Sequence, residues 1–87
     1  MTTFNELFKL IESRKASPSE ESRTAELLAL GVHEIGKKIV EEAAETWMAA
    51  EHESRENLAL EASQLIYHLQ VMLVAKGITL EELEEKL

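Results

Sequence analysis

From Val32 to Lys76 apolar residues recur at helical spacing, and the polar turn Glu53-Ser54-Arg55 is the break between them. With positions taken at about 100° per residue, this predicts one helix over about 32–52 and another over about 55–76. In the first, Ile35, Ile39, Ala43, Trp47 and Ala50 form an inward apolar strip. In the second, the half from Leu65 to Ala75 is apolar on most sides. A helix that is apolar nearly all round is buried all round. One small bundle cannot easily cover it, so a partner subunit is expected there, and a homodimer is the simplest assembly.

The remaining elements follow from their caps. Thr3 with Glu6 has the form of a capping box, so a first helix is expected over about 4–15, burying Phe4, Leu7, Phe8 and Ile11. Ser17-Pro18-Ser19-Glu20 can cap a short second helix with Pro18 at its first position, and Leu27, Leu28 and Leu30 give it something to bury before Gly31. Ser54 can cap the fourth helix, and Gly77 closes it. Thr79 with Glu82 is a further capping box, opening a last helix to Leu87. No strand alternation, repeat or linker is visible. The expectation is an all-α chain of four to five helices, folded as a single domain over residues 1–87 and completed by oligomerisation, a common remedy for so short a chain.

Acids interrupt this apolar pattern in places that need a reason. Lys38, Glu42, Glu45 and Ala49 share one strip of the third helix, which puts Glu42 at the border of the core face; Glu41 points further round. On the fourth helix Glu61, Gln64, Leu65, His68 and Met72 share a face, so Glu61 stands within an apolar stripe. A carboxylate aimed at a core costs several kcal/mol unless it is paired or holds a metal. Two helices that both send acids inward could converge on a hard cation with oxygen ligands. The other reading of Glu61 is a buried ion pair with Lys38 or Lys37, and that of Glu41 a solvated side chain. Gln64 could be only a weak ligand or a hydrogen-bond partner. His68 could donate to a phosphate, or could be a core histidine bonded to a backbone carbonyl. Arg14, Lys15 and Arg23 lie at loops or helix ends, where arginines suit phosphate forks.

Composition narrows the chemistry. The chain has no cysteine, which removes disulfides, thiolate catalysis and Cys-type zinc or iron–sulfur sites and is compatible with a reducing cytoplasm. A net charge of −8 argues against general nucleic-acid binding. Met1 to Glu6 lacks the basic and apolar regions of a signal peptide. Ser63, Gln64, His68 and Gln70 break the longest apolar run, so no membrane span is expected. Ferritin-like di-iron bundles need a Glu three residues before a His; His33, His52 and His68 are preceded at that spacing by Leu30, Ala49 and Leu65. An all-oxygen cluster favours magnesium, with manganese as the alternative.

These residues resemble a known family. Glu41, Glu42, Glu45 and Glu61 look like the Glu-Glu-x-x-Glu, spacer, Glu-x-x-Asp motif of the MazG-type all-α nucleoside triphosphate pyrophosphohydrolases, with Gln64 where Asp is usual. More of the chain is similar to phosphoribosyl-ATP pyrophosphohydrolase: Ser22-Arg23-Thr24-Ala25-Glu26-Leu27 resembles its Ser-Tyr-Thr-x-x-Leu segment, Arg14 stands where that family has an Arg, Lys38 to Glu45 resembles Lys-Val-Gly-Glu-Glu-Ala-x-Glu, and Glu61 to His68 resembles Glu-x-x-Asp-Leu-x-Tyr-His. The departures are Arg23 for Tyr, Val40 for Gly and Gln64 for Asp. The resemblance covers roughly Phe4 to Leu87. It implies a MazG-like bundle that cleaves phosphoribosyl-ATP to phosphoribosyl-AMP and pyrophosphate, the second step of histidine biosynthesis. Magnesium would be held by Glu42, Glu45 and Glu61, with Gln64 a fourth candidate; Glu41 would orient water, and Lys38, Arg14, Arg23 and His68 would contact phosphates. The rivals are a house-cleaning pyrophosphohydrolase acting on other nucleotides and a non-enzymatic helical interaction module.

Overall fold

The computed structural model describes residues 1–19 and 22–87. It contains five helices, α1 (Phe4–Ala16), α2 (Arg23–Leu30), α3 (Val32–His52), α4 (Arg55–Ala75) and α5 (Leu80–Lys86), and no strand among the described residues.

The caps explain most of the boundaries. Thr3 and Glu6 form a reciprocal capping box at α1, as do Thr79 and Glu82 at α5, and Ser54 accepts from Asn57 N–H at the start of α4. Each satisfies backbone donors that the helix itself leaves unpaired. α4 ends in a left-handed Gly77 (φ 73°), where Ile78 N–H donates to Leu73 O and Gly77 N–H to Val74 O. This is the Schellman arrangement. The start of α2 differs from expectation. Ser22 accepts from Ala25 N–H and caps it, so Ser17, Pro18 and Ser19 lie ahead of the helix. The Glu20 part of the expected cap falls outside the described residues.

α3 and α4 run antiparallel. The two-residue link Glu53-Ser54 joins them, Gly36 of α3 faces Met72 of α4, and Glu42 and Glu45 face Glu61. α1 and α2 pack across one end of this pair. Phe8, Ile11, Leu27, Ile35, Val71, Val74 and Leu80 form the core. Burying each of Phe8, Ile11, Ile35 and Val71 contributes about 1.5–3 kcal/mol. Polar ties flank this core. Lys15 Nζ donates to Val74 O at 2.9 Å, a cation on a carbonyl end of α4, and Gln70 Nε2 donates to Phe4 O at 3.2 Å.

The expected inward strip of α3 is covered over only part of its length. Ile35 is buried and Ile39 half-buried, but Ala43, Trp47 and Ala50 are exposed, and Ala49 is buried instead. α1 and α2 are too short to reach the far half of α3, so there only α4 covers it. On α4, Ile66 and Leu69 are also exposed within the single chain. By length and mean hydropathy (1.3) α4 matches a membrane-crossing helix; here it is the element against which α1, α2 and α3 pack.

Candidate metal centre

The antiparallel pairing of α3 and α4 brings three acids to one point. Glu42 and Glu45 lie three residues apart on the side of α3 that faces α4, and Glu61 answers from the second turn of α4. One carboxylate oxygen from each lies within 4.8 Å of the others. Glu45 is exposed, whereas Glu42 and Glu61 are half-buried. The Oε2 atoms of Glu42 and Glu61 are fully buried and lack a hydrogen-bond partner.

Such crowding shows in the protonation of Glu61. A proton shared with the Glu45 carboxylate, then partial burial, then the negative charges of Glu45 and Glu42 raise it from the ordinary 4.5 to about 7. A hard divalent cation answers this arrangement directly, because it takes oxygen ligands and offsets three converging negative charges. The two buried, unpartnered carboxylate oxygens fit that group. A soft metal finds no thiolate or imidazole among the three side chains.

The neighbouring basic residues do not neutralise the cluster. Lys38 Nζ pairs with Glu41 at 3.5 Å and Lys37 Nζ with Glu34 at 3.3 Å, so neither lysine forms the buried pair with Glu61 that the sequence left open. Lys38 and Glu41 instead line an open cavity of about 710 Å³ beside α3, with Met72 on its wall. Lys38 and Glu41 therefore precede Glu42 and Glu45 on α3, while Glu61 comes from α4.

His68 takes the core alternative. It is 1% exposed, its Nδ1 lies 2.7 Å from Gln64 O, and its ring meets Tyr67 edge to face. Its Nε2 is buried and without a hydrogen-bond partner, so in the single chain the side chain stands among core residues. The Gln64 side chain is half-buried and lines a different cavity from Lys38; it is not among the converging trio. Arg14 shares a cavity with Ala75, at the opposite end of α4 from Glu61. Fourteen residues at 1.5 Å each separate the two positions by about 20 Å, so this chain does not bring Arg14 to its own acids. Arg23 is placed differently, at the first turn of α2 near Tyr67.

One tie escaped the sequence reading. Thr24 Oγ1 and Tyr67 Oη share a hydrogen bond at 2.6 Å, which joins the start of α2 to the middle of α4. Both residues stand within segments that carry the family resemblance, but helical spacing gives no sign that they meet.

Comparison with known proteins bears on what this cluster serves. A family model described as phosphoribosyl-ATP pyrophosphohydrolase matches residues 4–87. A phosphoribosyl-ATP pyrophosphatase of Streptomyces avermitilis is 58% identical over 82 residues, 92% of this chain and 90% of its own. One of Streptomyces coelicolor is 57% identical over 81 residues, with the same coverage of 92% and 90%. One of Bifidobacterium adolescentis is 53% identical over 87 residues, the whole of both chains.

Proposed function

The chain belongs to the phosphoribosyl-ATP pyrophosphohydrolase family, and from that footing we propose that it hydrolyses phosphoribosyl-ATP to phosphoribosyl-AMP and pyrophosphate, the second step of histidine biosynthesis, in the cytoplasm. The observation that carries the mechanism is the convergence of Glu42, Glu45 and Glu61 with two buried oxygens unpartnered.

In this reading the three carboxylates hold magnesium, with manganese as a substitute. Bound there, the ion would polarise the triphosphate and lower the barrier to attack by water. The protein's own groups do the positioning. Glu42 and Glu61, half-buried on facing helices, fix the oxygens that receive the ion; Glu45, at the exposed edge, leaves the cluster open to a polyphosphate. Glu41, next to Glu42 in the chain and paired with Lys38 at 3.5 Å, orients the attacking water. Lys38 is partly exposed and can exchange Glu41 for a phosphate oxygen. In the net reaction water adds across the α–β anhydride, that P–O bond breaks, and pyrophosphate departs. Catalysis is chiefly electrostatic and positional, as in other phosphoryl-type transfers.

Residues 1–87 act as one domain in this scheme, and a second copy covers apolar residues left exposed on α3, with Leu60 and Leu69 of α4, giving a homodimer. Pyrophosphate release tests the assignment. With magnesium present, the rate from phosphoribosyl-ATP should far exceed that from ATP and other triphosphates. Equal rates would transfer the chain to the house-cleaning activity. No release from any of them, with stability indifferent to magnesium, would favour the interaction module.

A further inference from the structure

A cavity of about 600 Å³ lies along α4 from the acidic cluster, and none of the three acids lines it. It opens between the first turns of α1, the start of α2 and the middle of α4, and Phe4, Leu7, Arg23, Gln64, Ile66 and Tyr67 are among its walls. Gln64, on its wall, lies one helical turn beyond Glu61 on α4. The cavity's volume falls in the range of about 300–1,000 Å³ typical of small-molecule sites, and its walls are of that kind, mostly apolar with a few polar groups.

Arg23 is the cation of this cavity. Among the described residues it forms no ion pair, whereas Lys37 and Lys38 are engaged by Glu34 and Glu41 and Lys15 by the Val74 carbonyl. The backbone beside it is anchored, since the 2.6 Å hydrogen bond between Thr24 and Tyr67 fastens the first turn of α2 to the cavity wall, while the Arg23 side chain itself is exposed. The proposed substrate is anionic at both ends. It carries a triphosphate and, beyond the purine and the second ribose, a lone monophosphate. The acids can accept the first through a cation, but they repel the second, which needs a positive group of its own. An arginine fork is suited to a phosphate monoester.

We infer that this cavity takes the purine and the second ribose of the substrate and that Arg23 binds the distal monophosphate, making Arg23 the residue that separates phosphoribosyl-ATP from ATP. The inference rests on the activity proposed above. ATP lacks the distal phosphate and so gains nothing from Arg23.

Steady-state kinetics of the full chain with magnesium, on phosphoribosyl-ATP and on ATP, test it. The ratio of kcat/KM for the two substrates is measured first in the wild type. In R23A that ratio should fall by about tenfold or more, the scale of a lost charge-assisted hydrogen bond, and the loss should appear in KM for phosphoribosyl-ATP. R23K, which keeps the charge without the fork, should recover part of it. A high wild-type ratio retained by R23A would overturn this inference and leave the proposed activity standing. A parallel loss on both substrates would overturn it too, placing Arg23 on the triphosphate or in the fold. A wild-type ratio near unity would overturn the activity, and the inference with it.

Discussion

Glu61, raised to about 7 by its carboxylate neighbours, ties stability to pH in a definite direction. Between about 4.5 and about 7 the folded metal-free chain keeps a proton that the unfolded chain has released. Linkage then requires stability to fall as pH rises through that window and to level off above it. The thermal midpoint of the metal-free protein should therefore drop between about pH 5 and about pH 8, and Glu61→Gln should flatten the drop. The same variant should lose turnover by roughly a hundredfold or more while its circular dichroism stays helical. Wild-type turnover at low magnesium in the E61Q variant would exclude the trio as the metal site. His68 belongs to the same scale with the opposite expectation. Enclosed, with Nδ1 on the Gln64 carbonyl, it should act on folding. His68→Ala should cost on the order of 1–3 kcal/mol in urea unfolding, with KM for the substrate unmoved; a raised KM at normal stability would return His68 to the phosphates.

At the scale of elements, most boundaries were readable because each rests on local chemistry. The capping boxes at Thr3 and Thr79, the Ser54 cap and Gly77 need no knowledge of the rest of the chain. The convergence of Glu42, Glu45 and Glu61 was also readable, since two faces of known helical phase had to meet. What failed was ranking and coverage. Ser17, Ser19 and Ser22 can all cap a helix, and the choice of Ser22 accompanies a tie between Thr24 and Tyr67 that spans 43 positions. Periodicity marks Trp47 as part of an apolar strip but cannot say whether this chain supplies its cover. The pairing of Lys38 with Glu41 rather than Glu61 is equally a matter of reach, not of pattern. Gly77 offers a test free of packing. A Cβ there would meet nothing within 4 Å, yet φ is 73°. Gly77→Ala should thus cost about 1 kcal/mol through the backbone alone, measured as a lowered urea midpoint with unchanged slope; no change would mean that the left-handed turn is not kept in solution.

For the molecule as a whole, the exposed apolar side chains of α3 and α4 set the prediction. Val40, Trp47 and Met48 on α3 and Leu60 and Leu69 on α4 are each more than two-fifths exposed, and these are the residues a second copy is proposed to cover. Sedimentation at micromolar concentration should report a dimer, and Trp47→Lys should shift it toward monomer; a wild-type chain that sediments as a monomer would remove the second copy from the scheme. Trp47 is also the single tryptophan of the chain and lies 69% exposed in the isolated fold. In the proposed dimer its indole would lie at the junction between copies and serve as a built-in fluorophore. If the copies pair there, emission should be blue-shifted at high concentration and move to the red on dilution, and association would be read without a label; emission indifferent to concentration would take Trp47 out of the junction.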